Sequence, residues 1–138
     1  MEKAEIISNS KDSIYATGRR KTSIAKVWLK KGSGKISVNG KDYVQYFKRA
    51  NHQMKLLRPL EIIEQPTNYD VKCNVKGGGL TGQVGAMVHG ISKALILFDS
   101  GFKSILKKEK LNTRDSRAVE RKKYGRRKAR RSFQFSKR

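Results

Sequence analysis

The sequence predicts an α+β domain, a two-layer sandwich of a small mixed sheet with helices on one face, followed by an extended basic C-terminal tail. Three observations support this: segments that alternate apolar and polar residues, segments with apolar residues at helical spacing, and an apolar signal that ends near residue 111. A chain of 138 residues has room for one core. We therefore divide it into an unassigned N-terminal extension (1–12), a globular domain (13–111) and the tail (112–138).

The strand predictions depend on alternation. Thr22–Lys30 and Tyr69–Lys76 alternate clearly. Two shorter segments, Ile14–Thr17 and Lys35–Val38, are also expected to be strands. Gly18–Lys21 is expected to form a basic turn after the first of them. Gly32–Gly34 is expected to join the second and third strands as a hairpin. In the last strand Cys73 is predicted to be a small buried apolar residue.

The helix predictions depend on apolar spacing and capping. They are a short helix after Asp42, two pieces within Asn51–Gln65, Gln83–Phe98 and Phe102–Lys110. Asn39-Gly40 could instead form a hairpin turn, but Asp42 can cap a helix, so the short helix is preferred. Pro59 is expected to divide the second element and Pro66 to end it. Glycines 82, 85 and 90 weaken the long helix, which suggests that close packing against the sheet requires them.

Charge narrows the class of partner. The formal net charge is +22, and self-repulsion on this scale implies a polyanionic partner. No stretch approaches about 18 consecutive apolar residues, so no membrane span is predicted. Residues 1–12 have no apolar run and no arginine, so neither a secretory signal nor a transit peptide is expected. Cys73 is the only cysteine, which excludes an internal disulfide and indicates a reducing intracellular compartment.

The tail carries much of the charge. Ten of the eighteen residues from Arg121 to Arg138 are basic and none is acidic. Such a segment cannot bury enough apolar surface to order itself alone in water. It could be a solvated tail that only aids solubility. Its length, its arginine content and its aromatic residues Tyr124, Phe133 and Phe135 favour nucleic acid, because arginine binds phosphate and aromatic rings stack on bases.

A glycine-rich loop suggests a second function. Gly77–Gly82 fits the G-x-G-x-x-G pattern between a strand and a helix, as in dinucleotide-binding loops. A second parallel strand ending in an acid should follow the helix, but Asp99 ends the helix itself. We therefore favour a structural role for the glycines, with Lys76 and the helix N-terminus available to an RNA phosphate.

No enzyme is predicted. His52 and His89 are the only histidines, and neither has a carboxylate or cysteine at ligand spacing. His89 lies beside the apolar stripe of the long helix and is expected to be a packed or surface residue. No arrangement of nucleophile, base and orienting group can be named. No catalytic residue, metal ligand or cofactor is predicted.

Several segments together resemble the ninth protein of the small ribosomal subunit, in its bacterial or organellar form. Ala16–Ala25 is similar to the family's opening strand and basic turn. The family signature is matched by Gly77–Gly79, Gly82, Gln83, Ala86, Gly90 and Lys93–Leu95. The tail is matched by Thr113–Asp115, Glu120–Lys123, Lys128–Arg131 and Gln134–Arg138. Residues 1–12 have no counterpart, and Ser132 stands where relatives usually carry proline.

The resemblance implies a fold like the second domain of the small-subunit ribosomal protein five, and no catalytic activity. It implies a protein of the ribosome, cytoplasmic or organellar, whose partners are small-subunit rRNA, neighbouring head proteins and the peptidyl-site tRNA. The tRNA-binding candidates are Lys137 and Arg138. The rRNA-binding candidates are Arg19, Arg20, Lys21, Lys76, Arg114, Arg117, Arg121, Lys122, Lys123, Arg126, Arg127, Lys128, Arg130 and Arg131.

Two other classes stay open from the residues alone. The basic tail would also suit a DNA-architectural protein, and the glycine loop would also suit a nucleotide-binding enzyme. Preference for rRNA over duplex DNA at matched salt would distinguish an rRNA-binding protein from a DNA-architectural protein. Saturable dinucleotide binding would identify a nucleotide-binding enzyme.

Overall fold

A computed structural model describes residues 13–64 and 68–135. Its elements in chain order are β1 (Ile14–Arg20), β2 (Ser23–Lys31), β3 (Ile36–Val38), β4 (Lys41–Asp42), α1 (Tyr43–Tyr46), α2 (Ala50–Ile62), β5 (Tyr69–Lys76), α3 (Leu80–Phe98) and α4 (Phe102–Lys108). The strands form one sheet in the order β1-β2-β5-β3-β4. The β3–β5 pair is parallel and the other pairs are antiparallel, so the sheet is mixed. The predicted α+β sandwich is confirmed.

The basic turn expected at Gly18–Lys21 is shorter than predicted. β1 continues through Arg20, and Gly18 pairs with Ala25 across the β1–β2 hairpin. Only Lys21 and Thr22 form the turn, with Lys21 at a φ of 53°. Gly18 serves packing instead, because a Cβ there would lie 1.9 Å from the carbonyl oxygen of Ala86 on α3.

The hairpin predicted between the second and third strands is wrong. β5 lies between β2 and β3, antiparallel to the first and parallel to the second. The Asp70 carboxylate at the start of β5 accepts backbone N–H groups of Ser33, Gly34 and Lys35 at 2.9–3.0 Å. The loop is thereby fastened to β5, which places β3 on the far side of that strand.

The two alternatives for residues 39–46 both occur. Asn39 and Gly40, at φ of 51° and 81°, form the turn of a short β3–β4 hairpin. Asp42 then caps α1, accepting the N–H of Val44 at 3.5 Å. The choice of helix over turn was therefore incomplete.

The break predicted at Pro59 is also wrong, because α2 runs continuously from Ala50 to Ile62. Pro59 is buried together with Leu56 and Leu60. Proline loses one helical hydrogen bond, and burial of the three apolar side chains offsets that loss. Pro66 lies outside the described residues, as do the extension 1–12 and residues 136–138.

The core lies between the sheet and the helices. β5 matches its predicted bounds, with Tyr69, Val71, Cys73 and Val75 turned inward. Burial raises the pKa of the Cys73 thiol to about 12, as expected of a buried apolar residue. The long helix is confirmed, although α3 begins at Leu80 rather than Gln83. α4 ends at Lys108, before the predicted Lys110, with Leu106 buried.

Candidate nucleic-acid interface

One end of the sheet gathers three of the predicted RNA-binding residues. The strand registers place Arg19, Ile24 and Lys76 in one row across β1, β2 and β5. Lys21 lies at the apex of the adjoining two-residue turn. Arg19, Lys21 and Lys76 are all exposed, so this end of the domain presents three cations to solvent.

The glycine loop packs against the same end. The Gly77 carbonyl oxygen accepts hydrogen bonds from Ser23 Oγ at 3.0 Å and from Gln83 Nε2 at 3.2 Å. Gly77 and Gly78 have φ of 82° and 62°, a conformation that favours glycine. The loop therefore joins the hairpin turn to the first turn of α3, which is the structural role predicted for it.

Up to residue 135, where the description ends, the chain beyond α3 does not return to the sheet. Asp99 ends α3, and its Oδ1 accepts the N–H of Gly101 at 2.9 Å as α4 begins. A dinucleotide-binding unit needs a parallel strand at this point, so the connection argues against that alternative. Within residues 13–64 and 68–135, no cluster of potential metal ligands occurs.

Arg20 points to the opposite side of β1 and meets the start of the tail. Its side chain lies where a Cβ on Gly85 would be, 2.2 Å from Arg20 Cδ, and its Nη2 lies 3.9 Å from Asp115 Oδ2. Asp115 also accepts two hydrogen bonds from the Arg117 side chain to Oδ2, at 2.7 and 2.9 Å. These contacts, led by the hydrogen bonds from Arg117, lower the pKa of Asp115 to about 2.

His89 provides the second attachment of the tail. Its Nδ1 accepts the backbone N–H of Arg19 at 3.3 Å, and the ring is also hydrogen bonded to the backbone of Asn112. Burial and the nearby Lys93 lower the pKa of His89, which keeps the ring neutral and able to accept. We call Asn112–Arg117 the tail root, because these residues join the tail to β1 and α3.

The other histidine, His52, is packed into the core. His52 is 6% exposed, its Nε2 lies 3.2 Å from Thr81 Oγ1, and its ring meets the edge of Phe47. It fastens α2 to the first turn of α3.

The rest of the described tail, 118–135, carries no helix or strand beyond a single antiparallel bridge between Arg126 and Ser132. Arg126 Nη1 donates to Ser132 Oγ at 2.7 Å, so Ser132 closes a small loop. Glu120 pairs with Lys123 and with Arg130. The exposed candidates in the described tail are Arg114, Arg117, Arg121, Lys122, Lys123, Arg126, Arg127, Lys128, Arg130 and Arg131.

The tRNA-binding candidates Lys137 and Arg138 lie outside the described residues. Sequence reasoning also missed Lys26, Lys30 and Lys72, which lie on the face of the sheet opposite the helices. The signal that could have identified them is the lysines at the polar positions of the two alternating strands. Among the described residues, no helix is long and apolar enough to cross a membrane.

A family model described as Ribosomal protein S9/S16 matches residues 18–138, which is most of the chain. The match includes the turn between β1 and β2, the glycine loop and the tail described above. Proteins of this family are structural, non-enzymatic components of the small ribosomal subunit that bind rRNA and other ribosomal proteins. The resemblance inferred from the sequence is therefore confirmed, and the chain belongs to the ribosomal protein S9/S16 family as an rRNA-binding structural constituent of the small subunit.

Proposed function

We propose that the globular domain, 13–111, docks on rRNA in the head of the small subunit while the tail, 112–138, extends toward the peptidyl site. In this proposal Lys137 and Arg138 contact the anticodon stem-loop of the bound tRNA. The arginines and lysines from Arg114 to Arg131 neutralise rRNA phosphates along the path of the tail. Arg19, Lys21 and Lys76 contact rRNA at the end of the sheet. Residues 1–12 receive no role.

The attachment of the tail root carries this proposal. Leu111 packs against the core and its N–H bonds to the Leu106 carbonyl oxygen at 3.1 Å. His89 and Arg20 then hold Asn112 and Asp115 against the domain. A root held at two points gives the flexible segment a defined origin and direction. That suits a tail that has to reach one site on a large RNA.

The length of the tail is compatible with such a reach. At about 3.3 Å per residue, an extended chain from Asp115 to Arg138 spans at most about 75 Å. The described part has no core of its own, and Tyr124, Phe133 and Phe135 are 61–98% exposed. Its order therefore has to come from the partner, through coupled folding and binding.

In this proposal Arg20 has a more specific role than the fully exposed arginines and lysines. Its side chain is 25% exposed and lies between α3 and the tail root. We assign it a contact to rRNA through the rim of its guanidinium, together with the internal contact to Asp115.

Deletion of Lys137 and Arg138 tests the tRNA contact. Subunits that carry the truncated protein should assemble normally but retain tRNA less well in the peptidyl site. A matched control is Lys107→Gln with Lys108→Gln, which removes the same charge from exposed positions at the end of α4. If truncated subunits hold tRNA as well as intact and control subunits, the tRNA role is wrong and the rRNA role stands.

A further inference from the structure

Among the described residues, no helix packs on one face of the sheet. Residues that point to this open face alternate with the core residues of each strand, and the registers align them into rows. One row joins Tyr15, Trp28, Lys72 and Ser37. The next joins Thr17, Lys26 and Asn74, and the last joins Arg19, Ile24 and Lys76. We call this set, with Lys30 and Asp70, the open sheet face.

The open sheet face is strongly basic. Five cations project from it: Arg19, Lys26, Lys30, Lys72 and Lys76. Two carboxylates border it, and both accept backbone N–H groups, Asp70 from the loop at 33–35 and Asp42 from α1. The face therefore suits an anionic partner, and few of its charges are compensated within the described chain.

Its apolar part is aromatic. The rings of Tyr15 and Trp28 lie 5.3 Å apart at 48°, and Tyr15 is 47% exposed. Ile24, at 37% exposure, extends the apolar surface toward Lys76. Aromatic rings surrounded by lysines on an open sheet form a stacking platform for unpaired bases.

The dimensions fit a short single strand. Residues two apart along a strand are separated by about 7 Å, and neighbouring strands by about 4.8 Å. The face from Tyr15 to Arg19 and from β1 to β5 thus accommodates two or three nucleotides, as sheet platforms commonly do. A duplex would keep its bases stacked internally and could not use the rings.

We propose that the open sheet face binds unpaired nucleotides of RNA, with bases stacked on Trp28 and Tyr15 and phosphates held by Lys26, Lys72 and Lys76. The inference rests on the proposed rRNA docking of the domain and names the surface and the class of RNA that it takes. This contact is separate from the tail, and it requires single-stranded rRNA at the docking site.

Trp28 is the only tryptophan in the chain, so its emission reports on this face alone. The full chain would be titrated with an oligo(A) decamer and, separately, with a blunt-ended RNA duplex of the same strand length. Anisotropy of a labelled strand measures binding in parallel. Oligo(A) should quench Trp28 emission at saturation, whereas the duplex should bind with little quenching.

Two variants distinguish binding at the open sheet face from the effect of general positive charge. Lys26→Gln with Lys72→Gln should weaken oligo(A) binding and lower its salt slope by about 1.4, since two single-strand phosphate contacts are lost. The control, Lys55→Gln with Lys107→Gln, removes the same charge from exposed positions on α2 and α4. Its salt slope should stay at the value of the unmodified chain.

Three outcomes would overturn the inference. Anisotropy could show that oligo(A) binds without quenching Trp28 emission. The control variant could lose as much oligo(A) affinity and salt slope as the face variant. Polyglutamate could quench Trp28 emission as strongly as RNA does. The first two leave tail-driven rRNA binding intact, and the third points to an acidic protein partner. If neither oligo(A) nor small-subunit rRNA binds the full chain, the proposed function itself fails.

Discussion

The globular domain and the tail differ in what determines their conformation. In the domain, residues such as Val27, Leu60 and Leu95 are completely buried, and the backbone follows from their packing. In the described tail, Tyr124 is 98% exposed, and the contacts are ion pairs, a few hydrogen bonds and one isolated β-bridge. Packing therefore sets the shape of the domain. The tail has no such core, and under the proposed function its conformation is set by binding to RNA.

The tail root combines the two kinds of contact. His89 and Arg20 belong to the packed domain, while Asn112 and Asp115 belong to the charged segment. The contrast between domain and tail can be tested by perturbing the core, then the root, then the tail charges.

The largest effect is expected where α3 crosses β1. A Cβ on Gly18 would lie 1.9 Å from the Ala86 carbonyl oxygen and 2.3 Å from the Gly90 nitrogen. Gly18→Val should lower the free energy of unfolding by about 3 kcal/mol, the upper end of the usual cost of overpacking, because the clash is with backbone atoms. Urea denaturation measures this change. The control is Gly79→Ser, since no atom lies within 4 Å of a Cβ there and φ is −96°. A stable Gly18→Val protein would contradict the packing described for this crossing.

Cys73 gives a second measure of the packed domain. Burial raises the pKa of its thiol from 9.0 to about 12, and the thiolate is the reactive form. Alkylation by iodoacetamide at pH 8 should therefore be about a thousandfold slower in the native protein than in urea, from the thiolate fraction alone. Comparable rates in the two states would mean that β5 opens readily and that the core is not closed.

The His89 attachment should weaken in acid. The folded state holds the pKa of His89 below its ordinary value of 6.5, so the unfolded root binds more protons in that interval. The stability of the attachment is thus full above pH 6.5 and falls as the pH drops toward the lowered pKa. The amide resonance of Arg19, which donates to His89, should shift with the same midpoint in NMR spectra. His89→Gln should remove that shift. A titration midpoint above 6.5 would contradict the neutral ring.

The smallest effect is expected at Asp115, which is near the surface. Its lowered pKa of about 2 means that its contribution is present above pH 3.8 and is lost as the pH falls toward 2. The carboxyl carbon resonance should titrate near pH 2. Arg117→Gln should raise the pKa of Asp115, because the Arg117 hydrogen bonds are the leading cause of the shift. Arg121→Gln should leave it unchanged. Equal effects of the two substitutions would show that general charge, not the bidentate pair, sets this pKa.

Sequence patterns predicted where strands and helices lie better than which strands pair with each other. β5 was identified with its bounds, since strict alternation marks one buried face. The partner of Lys35–Val38 was missed because the choice depends on Asp70, which binds the loop amides from 35 or more residues away along the chain. Pro59 was misjudged for a related reason: its burial in the core, which no local rule includes, outweighs its effect on the helix.

The candidate site follows the same pattern. Runs of lysine and arginine indicated the tail and the hairpin turn as binding candidates. The resemblance indicated the family, which the match over 18–138 confirms. Lys26, Lys30 and Lys72 were not predicted as binding residues, because their common face appears only when β5 is placed beside β2. Their role, like those of the other basic residues, stays a prediction.

The measurement that tests the division between domain and tail most directly is the salt dependence of binding to small-subunit rRNA. The full chain would be compared with a variant that carries glutamine at five exposed tail positions, Arg126, Arg127, Lys128, Arg130 and Arg131. A control carries glutamine at five exposed domain positions, Lys48, Lys55, Lys103, Lys107 and Lys108. The tail variant should lose about 3.5 to 4.5 from the slope of log K against log salt, while the control keeps the slope of the full chain. Equal losses in the two variants would contradict the account, because the tail would then be no more than one part of a general positive charge.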